Sequence, residues 1–175
     1  MLREYEINKP ANLRGYPLHR MVAELTKNEP SLFSDEGATM LVRTEATIDL
    51  EPKALKQISL GQLTAFELRA CVSKKRKGKH IYPPSDDWRV RHEWLKNKAN
   101  SNGFEILTLH SSSKMVRIQD QARSFKVDQT DFTGILKVTD EAQFRIALAK
   151  GIGSTAKAYI LLRMPDIQSY HKCDK

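Results

Sequence analysis

The sequence predicts an α+β protein in which helices alternate with short strands, and three observations carry that prediction. Apolar residues make up 40% of the chain, enough for a packed core. Apolar positions recur at helical spacing in a few stretches, as at Leu18, Met21, Val22 and Leu25. Elsewhere short apolar runs lie between Gly, Pro and Asn breaks, as strands do. A length of 175 residues accommodates one ordinary domain or two small ones packed together.

Taken in order, residues 2–8 read as a short strand, ended by Lys9-Pro10. A helix starts at Pro17, because proline is tolerated at the first helical position, where its missing N–H costs nothing. Asn28-Glu29-Pro30 ends that helix. Residues 38–44 read as a strand, with a second expected around Ala46–Leu50 and a short helix or turn over Pro52–Leu60. Gln62–Val72 reads as a strand through Leu63, Phe66 and Leu68. The order is β-α-β-β-α-β, one ferredoxin-like unit.

A basic, turn-rich segment covers Ser73–Ser85. A second helix is expected from Asp86, with Ser85 as its cap and with Trp94, Leu95 and Trp88 facing a core. Asn102-Gly103 stops it. Phe104–Leu109 and Phe132–Val138 read as strands, and residues 114–127 as another strand or a mobile connection. Thr139 or Asp140 caps a helix over 141–150, with Phe144 and Leu148 buried, and Ala158–Leu162 is the last strand. The expected organisation is 1–73, a connecting segment 74–85, a second unit 86–164 and a tail 165–175.

Composition narrows the function. The chain carries 29 Lys and Arg against 21 acids, a formal charge of +8, which favours a polyanionic partner. No apolar run is long enough to span a membrane, and the N-terminus lacks the apolar core of a secretory signal. Two cysteines, Cys71 and Cys173, support neither a disulfide framework nor a zinc site, so a reduced, cytoplasmic protein without cofactor is expected. No His, Asp and Glu set has metal-ligand spacing, and no nucleophile-elbow motif suggests a serine hydrolase.

Three segments can carry chemistry. Tyr16 and His19 are three apart at the start of the first helix, so they share one helical surface. His19 lies off the centre of the apolar stripe, at a rim, and a helix N-terminus favours anions. Histidine exchanges protons near neutral pH, and a tyrosine hydroxyl donates a hydrogen bond. An ordinary exposed histidine beside a half-buried tyrosine fits the same residues. The second segment holds Lys74, Lys75, Arg76, Lys77 and Lys79, five cations among six residues, which no packed core can hold. Such a loop contacts phosphates, or is simply solvated. The third runs from Lys150 through Gly151, Gly153 and Lys157. Paired glycines let a backbone approach a phosphate, or merely stop a helix.

These segments, in this order, resemble the CasE family of CRISPR repeat-processing endoribonucleases from about residue 2 to residue 163. Tyr16-Pro17-Leu18-His19 looks like the family's Tyr-x-x-His element, and Phe66-Glu67-Leu68-Arg69-Ala70 like the strand before its basic region. Trp94-Leu95, Gly103-Phe104, Phe132-Thr133-Gly134-Ile135-Leu136 and Gly151-Ile152-Gly153 continue the match. Cys71-Val72 departs from it, standing where the family often has Asn-Pro. The resemblance implies two tandem ferredoxin-like folds and metal-independent cutting of CRISPR repeat hairpins in pre-crRNA. The ribose 2′-hydroxyl would attack the adjacent phosphodiester, leaving a 2′,3′-cyclic phosphate and a 5′-hydroxyl.

By the family's pattern His19 handles a proton and Tyr16 orients the site. Lys126 is the candidate third group, with Arg117 and Arg123 as alternatives. Lys74, Lys75, Arg76, Lys77, Lys79, Gly151, Gly153 and Lys157 are the expected RNA-binding residues. Mature crRNA and Cas backbone subunits of a Cascade-like complex are the implied partners. A non-catalytic crRNA-binding subunit, or a decoy of such a complex, is the alternative reading.

Overall fold

The computed structural model describes residues 1–120, 122–153 and 157–163; the expected tail, with His171 and Cys173, lies outside them. The elements are β1 (Arg3–Asn8), α1 (Tyr16–Leu25), β2 (Ser31–Asp35), β3 (Thr39–Thr44), β4 (Leu63–Ala70), β5 (Lys74–Arg76), β6 (Lys79–Ile81), α2 (Trp88–Ser101), β7 (Phe104–Asp120), β8 (Arg123–Val138), α3 (Glu141–Lys150) and β9 (Ile160–Arg163). Together they form two tandem ferredoxin-like units.

The first unit is a β-α-β-β run whose antiparallel sheet has the order β1-β3-β2. Tyr5, Ile7, Met40 and Val42 on the sheet pack against Leu18 and Val22 of α1. One expectation is corrected here and a second is narrowed. No strand forms at 46–50; the unit's second strand is Ser31–Asp35, which follows Pro30 directly and holds only Leu32 and Phe33 as apolar residues. No helix forms over 52–60, and the outer side of β1 instead receives a single bridge, Glu4 to Lys53.

The second unit is complete. It runs β4-α2-β7-β8-α3-β9, with strand order β7-β8-β4-β9. The expected closing strand of the first unit is therefore the opening strand of the second. Leu63–Ala70 pairs with β8 on one side and β9 on the other, because Thr64, Phe66, Leu68 and Ala70 are buried on the second unit's core. That core also takes Leu95 and Ala99 from α2, and Phe144, Ala147 and Leu148 from α3.

α2 starts at Trp88, capped by Asp87, whose carboxylate accepts from the Val90 N–H, and not by Ser85. Trp88 is 51% exposed, against the expectation that it faces the core. A charged residue takes the buried place one turn on: Arg91 is fully buried and paired with Asp128 of β8 at 2.5 Å. Residues 114–127 are neither a separate strand nor a loose connection. They are the outer part of one long β7–β8 hairpin, paired in register from Phe104↔Val138 to Asp120↔Arg123. The polar run Ser111-Ser112-Ser113-Lys114 hides this strand in the sequence, since the hairpin leaves the core there.

One glycine in this hairpin is required by close approach. A Cβ on Gly134 would lie 2.0 Å from the Thr108 carbonyl oxygen, beside the register shift between Ile106 and Thr108. Gly134→Ala is expected to cost about 1–3 kcal/mol or more through overpacking. A urea midpoint unchanged from wild type would contradict this.

The two units are joined by a buried polar contact. Arg43 of β3 donates to Glu4 Oε2 at 2.6 Å, to the Leu148 carbonyl at 3.0 Å and to the Ile160 carbonyl at 3.2 Å. Its guanidinium lies 4.0 Å from the ring centroid of Tyr159, whose hydroxyl donates to Glu4. Burial drives the Tyr159 hydroxyl far above the usual tyrosine range. Leu32, Leu41 and Tyr159 close an apolar seam around this contact. No helix among the described residues is long and apolar enough to cross a membrane.

Candidate active site

The geometry around His19 begins with how α1 is started. Gly15 precedes the helix at φ 63° with no side-chain cap, and Pro17 occupies the first turn. Leu18 and Val22 then fix the buried stripe, which leaves His19 exposed and Tyr16 45% exposed on the same side. The His19 ring lies 6.0 Å from Phe33 of β2, tilted at 41°. Tyr16 borders a groove with Pro17, Arg20 and Gln119, so the end of the long hairpin reaches α1.

Phe33 connects His19 to a cleft of about 660 Å³ between the two units. Lys9, Arg14 and Ser34–Gly37 line it from the first unit; Arg69, Lys114, Val116 and Gln129 from the second; Lys157 and Tyr159 from the segment before β9. Two of its cations are neutralised. Lys9, with a side chain 4% exposed, pairs with Asp35 at 2.8 Å, and Arg69 pairs with Asp131 at 2.7 Å. Arg14 and Lys114 have no ion-pair partner among the described residues, and Lys157 donates only to the uncharged Gly153 carbonyl, at 2.5 Å. Those three cations face a single uncompensated lining acid, Glu36. The cleft is therefore a positive hollow with a histidine beside its Phe33 wall, a setting suited to a phosphodiester.

The sequence-predicted residues divide clearly. Lys157 lines the cleft, His19 stands beside it against Phe33, and Tyr16 borders the separate groove on α1. Lys126 does not line it. It pairs with Arg117 in the hairpin, and successive strand residues point to opposite faces, so Lys126 and Arg117 share the face of Asp128 while Gln129 and Lys114 face the cleft. The cation that the hairpin brings to the cleft is Lys114, opposite Gln129. Arg123 pairs with Asp120 at the hairpin's end.

The expected basic loop is an ordered ribbon. Lys74–Arg76 pairs antiparallel with Lys79–Ile81 through a Lys77-Gly78 turn, both residues at positive φ (49° and 77°), the geometry of a tight hairpin. Its cations are exposed, and none of them lines the cleft. Gly151 is buried and caps α3: its N–H donates to the Ala147 carbonyl, and a Cβ there would meet the Ala158 carbonyl at 2.8 Å. Ile152 and Ala158 exchange hydrogen bonds at 3.0 and 2.7 Å, closing the loop that presents Lys157. Gly151 thus shapes the loop, its own amide being occupied. Gly153, at φ 106°, is half-buried in that loop.

Sequence reading missed Arg14 and Lys114. Arg14 lies two residues before Tyr16, where isolated cations carry no pattern, and Lys114 sits in the run that hid the hairpin. Among the described residues no group of three His, Cys, Asp or Glu side chains converges as a metal site.

Comparison with known proteins bears on this geometry. A family model described as CRISPR associated protein matches residues 9–160. No curated protein sequence matches the chain. Among solved structures, Thermus thermophilus Cse3 bound to an RNA representing a pre-cleavage complex superposes with a TM-score of 0.75 at 19% identity, covering 93% of this chain and 98% of that one. A CRISPR-associated protein of Escherichia coli, Cas6e, gives 0.68 at 22% identity, with 93% and 98% covered. A chain of Escherichia coli Cascade bound to a double-stranded DNA target gives 0.60 at 19% identity, with 91% and 99% covered.

Proposed function

Since the chain belongs to the CRISPR associated protein family, we propose that it is a metal-independent endoribonuclease that cuts CRISPR repeat hairpins in pre-crRNA. The observation that carries the reading is the placement of His19 against Phe33, beside a cleft whose free charge is positive, with Tyr16 one helical turn away on the same face of α1. Solved relatives of the same fold include an endoribonuclease bound to RNA.

In this reaction the ribose 2′-hydroxyl loses its proton and its oxygen bonds to the adjacent phosphorus. The bond from phosphorus to the 5′-oxygen breaks, and a proton goes to that oxygen. The products are a 2′,3′-cyclic phosphate and a 5′-hydroxyl. His19 carries one of the two protons, and the Tyr16 hydroxyl orients the phosphate. Arg14, Lys114 and Lys157 stabilise the charge that develops on the phosphorane oxygens, in place of the expected Lys126. A hairpin RNA carrying 2′-deoxyribose at the cut nucleotide should bind as the all-ribose RNA does and remain uncut. Cutting of the deoxy substrate at the normal rate would overturn the mechanism.

The Lys74–Lys79 ribbon grips the phosphates of the stem, and Cas backbone subunits of a Cascade-like complex are the proposed further partners. The fold relative within Cascade supports that assembly. Replacing Lys74, Lys75, Arg76 and Lys77 by alanine should weaken hairpin binding. The logarithmic salt slope should become shallower by roughly 0.7–0.9 for each phosphate that the ribbon no longer neutralises. An unchanged affinity and slope would place the docking surface elsewhere.

A further inference from the structure

The exposed Trp88 is unexplained by the core and by the cleft. It is the first residue of α2, with half its surface open to water, although a tryptophan ordinarily buries most of its area. Two contacts hold it in place. The Arg89 guanidinium lies 5.0 Å from its ring centroid, within cation–π range. The His92 ring meets it edge-on at 5.1 Å and 65°. His92 is in turn held by Ser111 of β7, Nε2 to Oγ at 2.9 Å, and lies 6.5 Å from Phe132. Phe132 stacks on Trp94 at 6.3 Å and 12°. A chain of rings thus runs from the surface into the core, which makes Trp88 a braced ring and not a loose one.

The surroundings are basic. Ser85 accepts from the Ser113 hydroxyl through its carbonyl, at 2.9 Å, which ties the approach to α2 to the hairpin. Beyond Ser113 on the same strand face follow Met115, itself 45% exposed, and Arg117, with Lys126 opposite Arg117. Arg89 and Lys96 are exposed on α2 against Glu93, with Asp86 and Asp87 just before the helix, so the positive charge of this face comes from Arg117 and Lys126. Burial, then the charges of Lys96 and His110, hold the His92 imidazole below the usual histidine range. At neutral pH His92 therefore offers a neutral ring edge rather than a further charge.

We propose that Trp88, braced by His92 and flanked by Arg89, is a stacking platform for an unpaired base of RNA, on the hairpin face opposite the cleft. The inference rests on the reading of the protein as RNA-binding and adds to it a single-strand site separate from the cleft. Aromatic faces bind unpaired bases of any sequence, and neighbouring cations bind the phosphates that connect them. This assigns a use to Arg117 and Lys126, which the cleft does not take up.

The test uses the full chain with Trp94→Phe, so that Trp88 is the only tryptophan, excited selectively and titrated with a single-stranded oligoadenylate and with a blunt repeat hairpin. Oligoadenylate should quench the emission. Read by the anisotropy of a labelled oligoadenylate, Trp88→Ala should weaken binding by roughly 5- to 150-fold, the range of one stacked base, and Trp88→Phe should retain most of it. Oligoadenylate binding that ignores Trp88, or hairpin binding without oligoadenylate binding, overturns the platform and leaves the RNA reading standing. Failure of both RNAs to bind overturns both. An emission shift that grows with protein concentration in the absence of RNA assigns the face to a second copy of the chain and overturns the proposal.

Discussion

Replacing His19 by alanine is expected to lower the rate of RNA cutting by roughly 10²–10⁴-fold while leaving hairpin affinity unchanged. The two quantities separate because His19 is exposed on α1, supports no core residue, and touches only Phe33 among the aromatic rings. Its loss removes a proton carrier without removing a cation that grips phosphate. Single-turnover cleavage beside equilibrium binding reads both effects. His19→Ala cutting at the wild-type rate would remove the active site from α1. A wild type that binds without cutting would make the protein a crRNA-holding subunit.

The largest expected effect on stability falls on Arg91. Its side chain is 2% exposed and that of Asp128 1%. Arg91 donates to Asp128 at 2.5 Å, to Thr130 Oγ1 at 3.0 Å and to the Pro84 carbonyl at 2.7 Å. Arg91→Ala leaves the Asp128 carboxylate buried with its main partner gone, a change that costs about 3–5 kcal/mol. For a chain of this size the melting temperature should fall by roughly 6–20 °C. Replacing both partners with apolar residues of similar volume should recover much of the loss, since two desolvated charges are removed together. A melting temperature of Arg91→Ala equal to wild type would show that Asp128 is not held by this pair. The pair also matters for the site. It ties α2 to β8, the partner of the strand whose outer end, at Gln119, borders the groove of Tyr16 and Arg20.

The helix that carries His19 was legible because local rules act on it alone. Pro17, the Leu18-Met21-Val22-Leu25 stripe and the resulting rim position of His19 need no distant partner. α3 was legible for the same reason, with Asp140 as a true cap that accepts from the Gln143 N–H at 3.0 Å. What failed was long-range. Leu63–Ala70 has the same strand pattern whichever sheet it joins, and only its pairing with β8 and β9 decides. Ser31–Asp35 is too short and polar to announce itself, yet β3 pairs with it over its whole length. Arg91 reads as a surface residue until Asp128, 37 positions on, is brought beneath it. The cleft cations were hidden in the same way, because Arg14 and Lys114 belong to different units that meet only in the folded chain.

The proposed chemistry uses only the protein's own side chains and the substrate's 2′-hydroxyl. The most direct measurement is the mass of the product ends after wild-type protein is incubated with its CRISPR repeat hairpin in EDTA. One cut is expected, with a 2′,3′-cyclic phosphate on one product and a 5′-hydroxyl on the other. Products with a 5′-phosphate, or cutting that appears only when a divalent metal is restored, would contradict it.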